Sequence, residues 1–283
     1  MTTTLAASLE GRRVGIVLSS AFFGFYAHTG FMQALATTRT KGHVYAGSSA
    51  GALVAAFSAT HELDNFLPVL LNLRRKDFWD PSVKLARNWG LLKGHRFQSL
   101  LESHLPISRF EECATPLLTV STNLSSGTRH VDSKGPLAPA IAASCALPFL
   151  FQPVSRGTER YADGGIIDKA PIQAVIDRFQ IDALVVHIVH SRTIGTRAPL
   201  APRRFLNWSL DACRHASWQT QALLAEARGV ATYIVETEPS SIGPFSMSRG
   251  GHILEETRLK VTHQLQQPAR YFRANYLFEN DNV

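Results

Sequence analysis

Short apolar runs alternate along the chain with longer apolar segments, and this pattern predicts strands and helices in turn. Residues 13–18 are rich in β-branched side chains and predict a first, central strand, and residues 27–37 predict the helix that follows. Residues 43–46 predict a second buried strand, and residues 52–57 predict a second buried helix. Strands and helices that alternate in this order imply right-handed crossovers and a parallel sheet.

The same reasoning extends to the rest of the chain. Residues 64–105 are mixed in character, and we expect loops at residues 192–204 and 239–251, where turn-forming residues collect. The further predicted elements are a strand at 116–124 with a hairpin partner at 129–131, a helix at 138–146, a strand at 181–189, a helix at 205–228, a strand at 232–235 and a closing helix at 251–267.

Composition is that of an ordinary globular protein: 283 residues suit one large α/β domain, or one domain with a cap, and 45% of them are hydrophobic. No apolar run approaches the roughly 20 residues that cross a bilayer, and the first residues lack the pattern of a secretory signal. Cys113, Cys145 and Cys213 form neither a close pair nor metal-ligand spacing. We therefore expect reduced thiols, no metal, and a cytoplasmic location with peripheral contact to membranes.

The formal net charge of +7 favours anionic partners, such as phospholipid head groups or nucleic acid. The sequence has no zinc-finger, helix-turn-helix or aromatic-rich RNA motif, so we expect an anionic membrane surface and no nucleic acid. Residues 74–79 place three cations beside Phe78 and Trp79, which is typical of an interfacial surface or, alternatively, of a solvated face with its aromatic rings in the core. The charge continues after this stretch, around Trp89, with Lys84, Arg87, Lys93 and Arg96.

Residues 47–51 read Gly-Ser-Ser-Ala-Gly, a G-x-S-x-G pattern between a predicted strand and a predicted helix. This context favours a nucleophile elbow with Ser49 at its tip, although the pattern is also compatible with a plain turn. Gly47 and Gly51 would let the backbone cross closely, and the first N–H groups of the helix would form an anion site behind Ser49.

A second informative stretch is Asp163-Gly164-Gly165. An aspartate before two glycines occurs in exposed turns whose backbone is closely approached, and it also occurs in simple turns. Its interpretation therefore depends on whether it belongs with Ser49.

Together these blocks resemble the patatin-like phospholipase family of serine lipid acyl hydrolases, over roughly residues 15–175. The resemblance implies a three-layer α/β/α sandwich with a mainly parallel sheet. It also implies a nucleophile at Ser49, a base at Asp163, no histidine in the dyad, a lipid substrate and no cofactor. On this basis we expect a core at 12–175, its C-terminal continuation at 176–275, and tails at 1–11 and 276–283. The matching blocks are Gly47–Gly51, Ser121–Gly127, Ala142–Phe149 and Asp163–Pro171, where Asp168 replaces the more usual asparagine.

The main departure from the family is the loop after the first strand. The family has G-G-G-x-[RK]-G there and uses it as the oxyanion hole. In this chain its three glycines fall on Ser20, Ala21 and Phe22, and its basic position falls near Gly24. Backbone N–H groups of these four residues are the predicted oxyanion donors. The neighbouring aromatic residues predict either the lip of an acyl-chain channel or packing under the first helix; they are Phe22, Phe23, Phe25 and Tyr26.

Two alternatives remain at this point. An α/β-hydrolase triad would need a histidine base, and the candidates are His187, His190, His252 and His263. A membrane-associated scaffold without activity would explain the altered glycine loop, but it would leave the intact Ser49 and Asp163 motifs unexplained.

Overall fold

The computed structural model describes residues 3–82, 90–190, 202–239 and 247–273, and its centre is an eight-stranded sheet. Two further short strands, β3 and β6, pair with each other outside this sheet. The strands are β1 (Val14–Leu18), β2 (Gly42–Ser48), β3 (Gly90–Leu92), β4 (Leu117–Asn123), β5 (Thr128–Asp132), β6 (Phe149–Phe151), β7 (Val154–Arg156), β8 (Glu159–Asp163), β9 (Ala183–Val189) and β10 (Ala231–Thr237).

The hydrogen-bonded strands of the central sheet connect in the order β10-β9-β1-β2-β4-β8-β7. Strand β5 pairs with the edge of β4 opposite to the one that β2 and β8 share. Strands β10, β9, β1, β2 and β4 are mutually parallel, whereas β5 and β8 run antiparallel to β4, and β7 runs antiparallel to β8. The predicted mainly parallel sheet with a central first strand is therefore confirmed.

Helices cover both faces of the sheet. Successive side chains of a strand point to opposite faces, and accordingly Ile16 packs in one core cluster and Val17 in the other. The first cluster includes α2, α3 and α9, and the second includes α7 and α8, which gives the predicted three layers. The helices are α1 (Leu5–Leu9), α2 (Phe25–Ala36), α3 (Ala50–Ala59), α4 (Leu63–Asn72), α5 (His95–His104), α6 (Leu137–Ser144), α7 (Ile172–Ile176), α8 (Pro202–Ala227) and α9 (Gly250–Gln266).

Most predicted elements agree with the structure to within a few residues, and the differences have local causes. Helix α8 begins at Pro202, inside the predicted loop at 192–204, because proline is favoured in the first turn of a helix. Strands β6, β7 and β8 were not predicted, since runs of three to five residues show too little periodicity. Several sequence predictions lie outside the described residues: Lys84, Arg87, Trp89, the loop portions 192–201 and 240–246, and the tail 276–283.

One detail of the sheet brings distant parts of the chain together. Strands β2 and β8 pair with the same edge of β4, one after the other, and run toward each other. Ser48, the last residue of β2, pairs with Val120, and Asp163, the last residue of β8, pairs with the adjacent Ser121. The residues that follow the two strands therefore face one another across the middle of β4.

Candidate active site

Ser49 lies in a sharp turn between β2 and α3. Its backbone has φ 55° and ψ −123°. Residues other than glycine rarely adopt this conformation, and holding a serine in it costs of the order of 1–3 kcal/mol of folding free energy. The Ser49 N–H donates to Ser144 Oγ at 2.9 Å, and Ser144 Oγ donates to the carbonyl oxygen of Val120 at 2.6 Å. This chain of hydrogen bonds ties the strained turn to α6 and β4.

The two glycines of the elbow are required by space. A Cβ atom on Gly47 would lie 2.3 Å from the carbonyl carbon of Gly51, and one on Gly51 would lie 2.2 Å from the carbonyl oxygen of Leu18. Backbone atoms at these distances cannot yield without moving α3 away from the sheet. The pattern predicted from sequence is thus explained by close backbone contact at both positions.

Asp163 contacts Ser49 directly. Ser49 Oγ donates to Asp163 Oδ2 at 2.5 Å, and the Gly165 N–H donates to Asp163 Oδ1 at 2.7 Å. The side chain is buried, and burial raises the pKa of Asp163 to about 6, although both hydrogen bonds and the positive charge of Arg214 oppose this rise. A carboxylate with this pKa is a stronger base than an exposed aspartate.

The glycines after Asp163 also sit in tight places. A Cβ atom on Gly164 would lie 2.1 Å from the carbonyl oxygen of Val120. A Cβ atom on Gly165 would lie 2.3 Å from Ser20 Oγ, so the missing side chain makes room for the loop after β1. Asp168 is buried too, and its carboxylate accepts from Arg129 Nη1 at 2.9 Å.

A cavity of about 160 Å³ opens in front of Ser49. One end is polar and contains Ser49, Asp163, Ser20 and Arg214. The remaining wall is almost wholly apolar, which suits an acyl chain whose ester group reaches Ser49. The apolar wall comprises Ala21, Phe22, Phe23, Phe25, Ala50, Leu53, Leu73, Phe78, Phe97, Leu100, Leu147, Leu150 and Phe151.

The loop after β1 differs in one respect from expectation. The Ser20 N–H donates to the carbonyl oxygen of Lys169 at 2.7 Å, and the Gly24 N–H donates to the carbonyl oxygen of Ala21 at 3.1 Å. Among the described residues, no acceptor takes the N–H groups of Ala21 or Phe22. Two of the four predicted donors are therefore occupied within the loop and two are open.

The aromatic residues of this loop divide between the two predicted roles. Phe22, Phe23 and Phe25 line the cavity, and 55% of the Phe22 surface is exposed. Tyr26 is fully buried in the core, where its hydroxyl donates to the carbonyl oxygen of Leu70 at 3.2 Å.

Three of the four histidine candidates have other hydrogen-bond partners, and these are His187, His190 and His263, the last of which contacts Gln267. His187 Nδ1 lies 2.9 Å from His28 Nδ1, and burial lowers the pKa of both rings, that of His28 to about 4. Two neutral rings fit the network: His28 Nε2–H donates to the Ser19 carbonyl, His187 Nδ1–H donates to His28, and His187 Nε2 accepts from Thr237. His190 pairs with Glu236. In the described part of the chain, no histidine hydrogen-bonds to Ser49.

Sequence reasoning missed two groups at this site, Ser144 and Arg214. Ser144 lies in one of the recognised blocks, so its contact with the Ser49 backbone could have been anticipated. The Ala50 N–H, in contrast, lies in the first turn of α3, where N–H groups lack helical acceptors, and it belongs to the anion site that the sequence predicts behind Ser49. Arg214 lies far along the chain in α8, and no motif marked it.

Within the described residues, no three metal-ligating side chains gather into a possible metal site.

Comparison with known proteins identifies relatives. Residues 16–176 match the model of the Patatin family, described as patatin-like phospholipase. An uncharacterized NTE family protein of Mycobacterium tuberculosis is 32% identical over 69% of this chain and 54% of its own length. A second NTE family protein of that species is 22% identical over 93% of this chain and 48% of its own length. The chain thus spans about half the length of these curated relatives.

Two more distant similarities complete the comparison. A lysophospholipase of Cryptococcus neoformans is 26% identical over 65% of this chain and 12% of its own length. The crystal structure of VipD from Legionella pneumophila aligns with a TM-score of 0.48 at 14% identity, covering 92% of this chain and 68% of that one.

Proposed function

This chain belongs to the patatin-like phospholipase family, and we propose that it is a serine carboxylic ester hydrolase that acts on lipids. Membership of the family supports a role as a lipid hydrolase. Ser49 is the nucleophile and Asp163 is its base. The observation that carries the proposal is the 2.5 Å hydrogen bond from Ser49 Oγ to Asp163 Oδ2 at the polar end of an apolar cavity. A relaxed serine in a plain turn would not need the backbone strain at Ser49.

The reaction has two acyl-transfer steps. Asp163 accepts the Ser49 hydroxyl proton as Ser49 Oγ bonds to the carbonyl carbon of the ester. The electrons of the C=O double bond move to the carbonyl oxygen, which gives a tetrahedral intermediate. Collapse of this intermediate breaks the ester C–O bond, and Asp163 returns the proton to the leaving alcohol. Water then loses a proton to Asp163 and attacks the acyl carbon. The Oγ–carbon bond breaks, the fatty acid leaves, and the proton returns to Ser49.

The oxyanion needs donors at the same end of the cavity. The open N–H groups of Ala21 and Phe22 are suited to this role, and the Ala50 N–H adds a donor at the positive end of the α3 dipole. The N–H groups of Ser20 and Gly24 do not serve as oxyanion donors in this proposal, because they already donate to carbonyl oxygens of the protein. Each true oxyanion donor contributes about a hundredfold to a thousandfold in rate.

The test of this function is hydrolysis of medium-chain p-nitrophenyl esters across pH. Asp163 acts as a base only when ionised, and its pKa is raised to about 6, so kcat/KM should rise with pH up to about 6 and then level off. The groups that face this carboxylate are the Ser49 hydroxyl, the Gly165 N–H, the Cys145 thiol and the Arg214 guanidinium. Activity that stays constant down to about pH 4 would contradict the assignment of Asp163.

We further propose that the rim of the cavity contacts an anionic lipid surface. None of the described helices is long and apolar enough to cross a membrane. Phe149 is 76% exposed with φ 67°, and it directly precedes two residues that line the cavity. Trp79 and Leu91 are also exposed, as are nearby cations, which would complement anionic head groups. The cations are Arg74, Arg75, Lys76, Lys93 and Arg96.

Replacing Phe149 with asparagine should weaken binding to phosphatidylglycerol vesicles about tenfold, since inserting one phenylalanine side chain contributes of the order of 1.5 kcal/mol. Asparagine tolerates a positive φ, so the loop should keep its shape. Co-sedimentation measures the effect, and Leu259→Asn on α9, at 56% exposed, is the matched control. Equal binding by both variants would remove Phe149 from this surface.

A further inference from the structure

Arg214 is the charged side chain at the polar end of the cavity apart from Asp163. It lies on α8, beyond the residues that match the family model. Its Nη2 donates to Ser20 Oγ at 3.2 Å, and its Nη1 lies 3.4 Å from Asp211 Oδ1, one turn earlier in the helix. The buried Nε finds no acceptor in the described part of the protein. The guanidinium of Arg214 therefore keeps an N–H donor, at Nε, that no described residue accepts from.

The loop that Arg214 contacts has no cation of its own. Residues 19–25 contain none, although the family pattern has a basic residue near the position of Gly24. Ser19 is bound to β9 and to His28, and two contacts then hold Ser20: its N–H donates to the Lys169 carbonyl, and its hydroxyl oxygen accepts from Arg214. Ser20 Oγ in turn occupies the space that the missing Gly165 side chain leaves open beside Asp163.

From this geometry we propose that Arg214 is the positioning residue of the site. It holds Ser20, and with it the oxyanion loop, against the Ser49–Asp163 pair, and it supplies from α8 the positive charge that the loop sequence lacks. The inference rests on the proposed function, because it assigns a role within that same site. Lys169 is not an equivalent candidate: it contributes its backbone carbonyl, and its side chain does not line the cavity.

The arrangement has an electrostatic consequence that a purely structural contact would lack. A guanidinium near Asp163 stabilises the carboxylate, which opposes the effect of burial on the pKa of that group. Removing the charge leaves the Ser49 hydroxyl, the Gly165 N–H and the Cys145 thiol around Asp163, none of which is a cation. The base would then remain protonated to a higher pH.

The experiment compares native protein with Arg214→Ala and Arg214→Lys on a neutral p-nitrophenyl ester. We expect kcat to fall about tenfold to a hundredfold in Arg214→Ala with little change in KM, because a charge-assisted contact that orders the loop is lost. The acid limb of its pH profile should move to higher pH, and added guanidinium should restore part of the rate. Arg228→Ala is the control, since Arg228 pairs with Asp177 at the surface just beyond α8.

A second measurement does not depend on catalysis. Residue-resolved hydrogen exchange should show faster exchange at the Ser20 and Gly24 amides in Arg214→Ala than in native protein, because both bonds lie in the anchored loop. Unchanged exchange, or full activity with an unshifted pH profile, overturns the proposal. If native protein hydrolyses no ester, the proposed function fails, whereas the exchange result still decides whether Arg214 holds the loop.

Discussion

Replacing Ser49 with alanine is expected to lower ester hydrolysis by at least about 10⁴-fold, to the rate that binding and the oxyanion donors alone can sustain. The reason is specific to the geometry: Ser49 Oγ is the hydroxyl that donates to buried Asp163 and faces the apolar cavity. The measurement is the initial rate on p-nitrophenyl esters and on phospholipid vesicles, together with labelling by a fluorophosphonate probe. Labelling should disappear, and hydrolysis should fall to that residual rate.

Two controls keep this result from being read as a loss of folding. Ser58→Ala removes a buried serine hydroxyl from α3, the helix that follows Ser49, where it donates only to the Val54 carbonyl, and this variant should retain full activity. Ser49→Gly relieves the positive φ of the turn, so it should be at least as stable as the native chain while remaining inactive. If both Ser49 variants hydrolysed esters at a rate near that of the native chain, hydrolysis would have to take place elsewhere.

Replacing Asp163 with asparagine is expected to lower kcat by about 10²- to 10⁴-fold, the usual contribution of a general base. Asparagine has nearly the same shape and can still accept from the Gly165 N–H, but its amide cannot take the Ser49 proton. Fluorophosphonate labelling of Ser49 should slow in parallel, because the nucleophile is no longer activated. The rate of labelling therefore separates a chemical effect from weakened substrate binding.

The matched control is Asp168→Asn, five positions further along. Asp168 is equally buried, but it bonds to Arg129 and Gln221 and not to Ser49, so its replacement should lower stability without abolishing the chemical step. If Asp163→Asn retained native activity, a histidine base would have to be sought, despite the engagement of His187 with His28 and Thr237. Inactivity of the native chain on every ester would instead favour the scaffold interpretation.

Much of this protein was predictable because its signals are local. A strand, a glycine turn and a helix in succession predict the elbow around Ser49, since each part depends on a few neighbouring residues. Alternating apolar runs predicted the parallel part of the sheet for the same reason. The strands of three to five residues between Phe149 and Asp163 carried no such signal, and they were missed.

The tertiary structure decided what depends on distant parts of the chain. The sequence by itself determined the fold class and the candidate residues for acyl transfer. Only the register of β2 and β8 on one edge of β4 brings Ser49 within 2.5 Å of Asp163. Only packing shows that Lys169 occupies the Ser20 N–H and that Arg214 enters from α8. These contacts join residues more than 100 positions apart, and no periodicity or spacing encodes them.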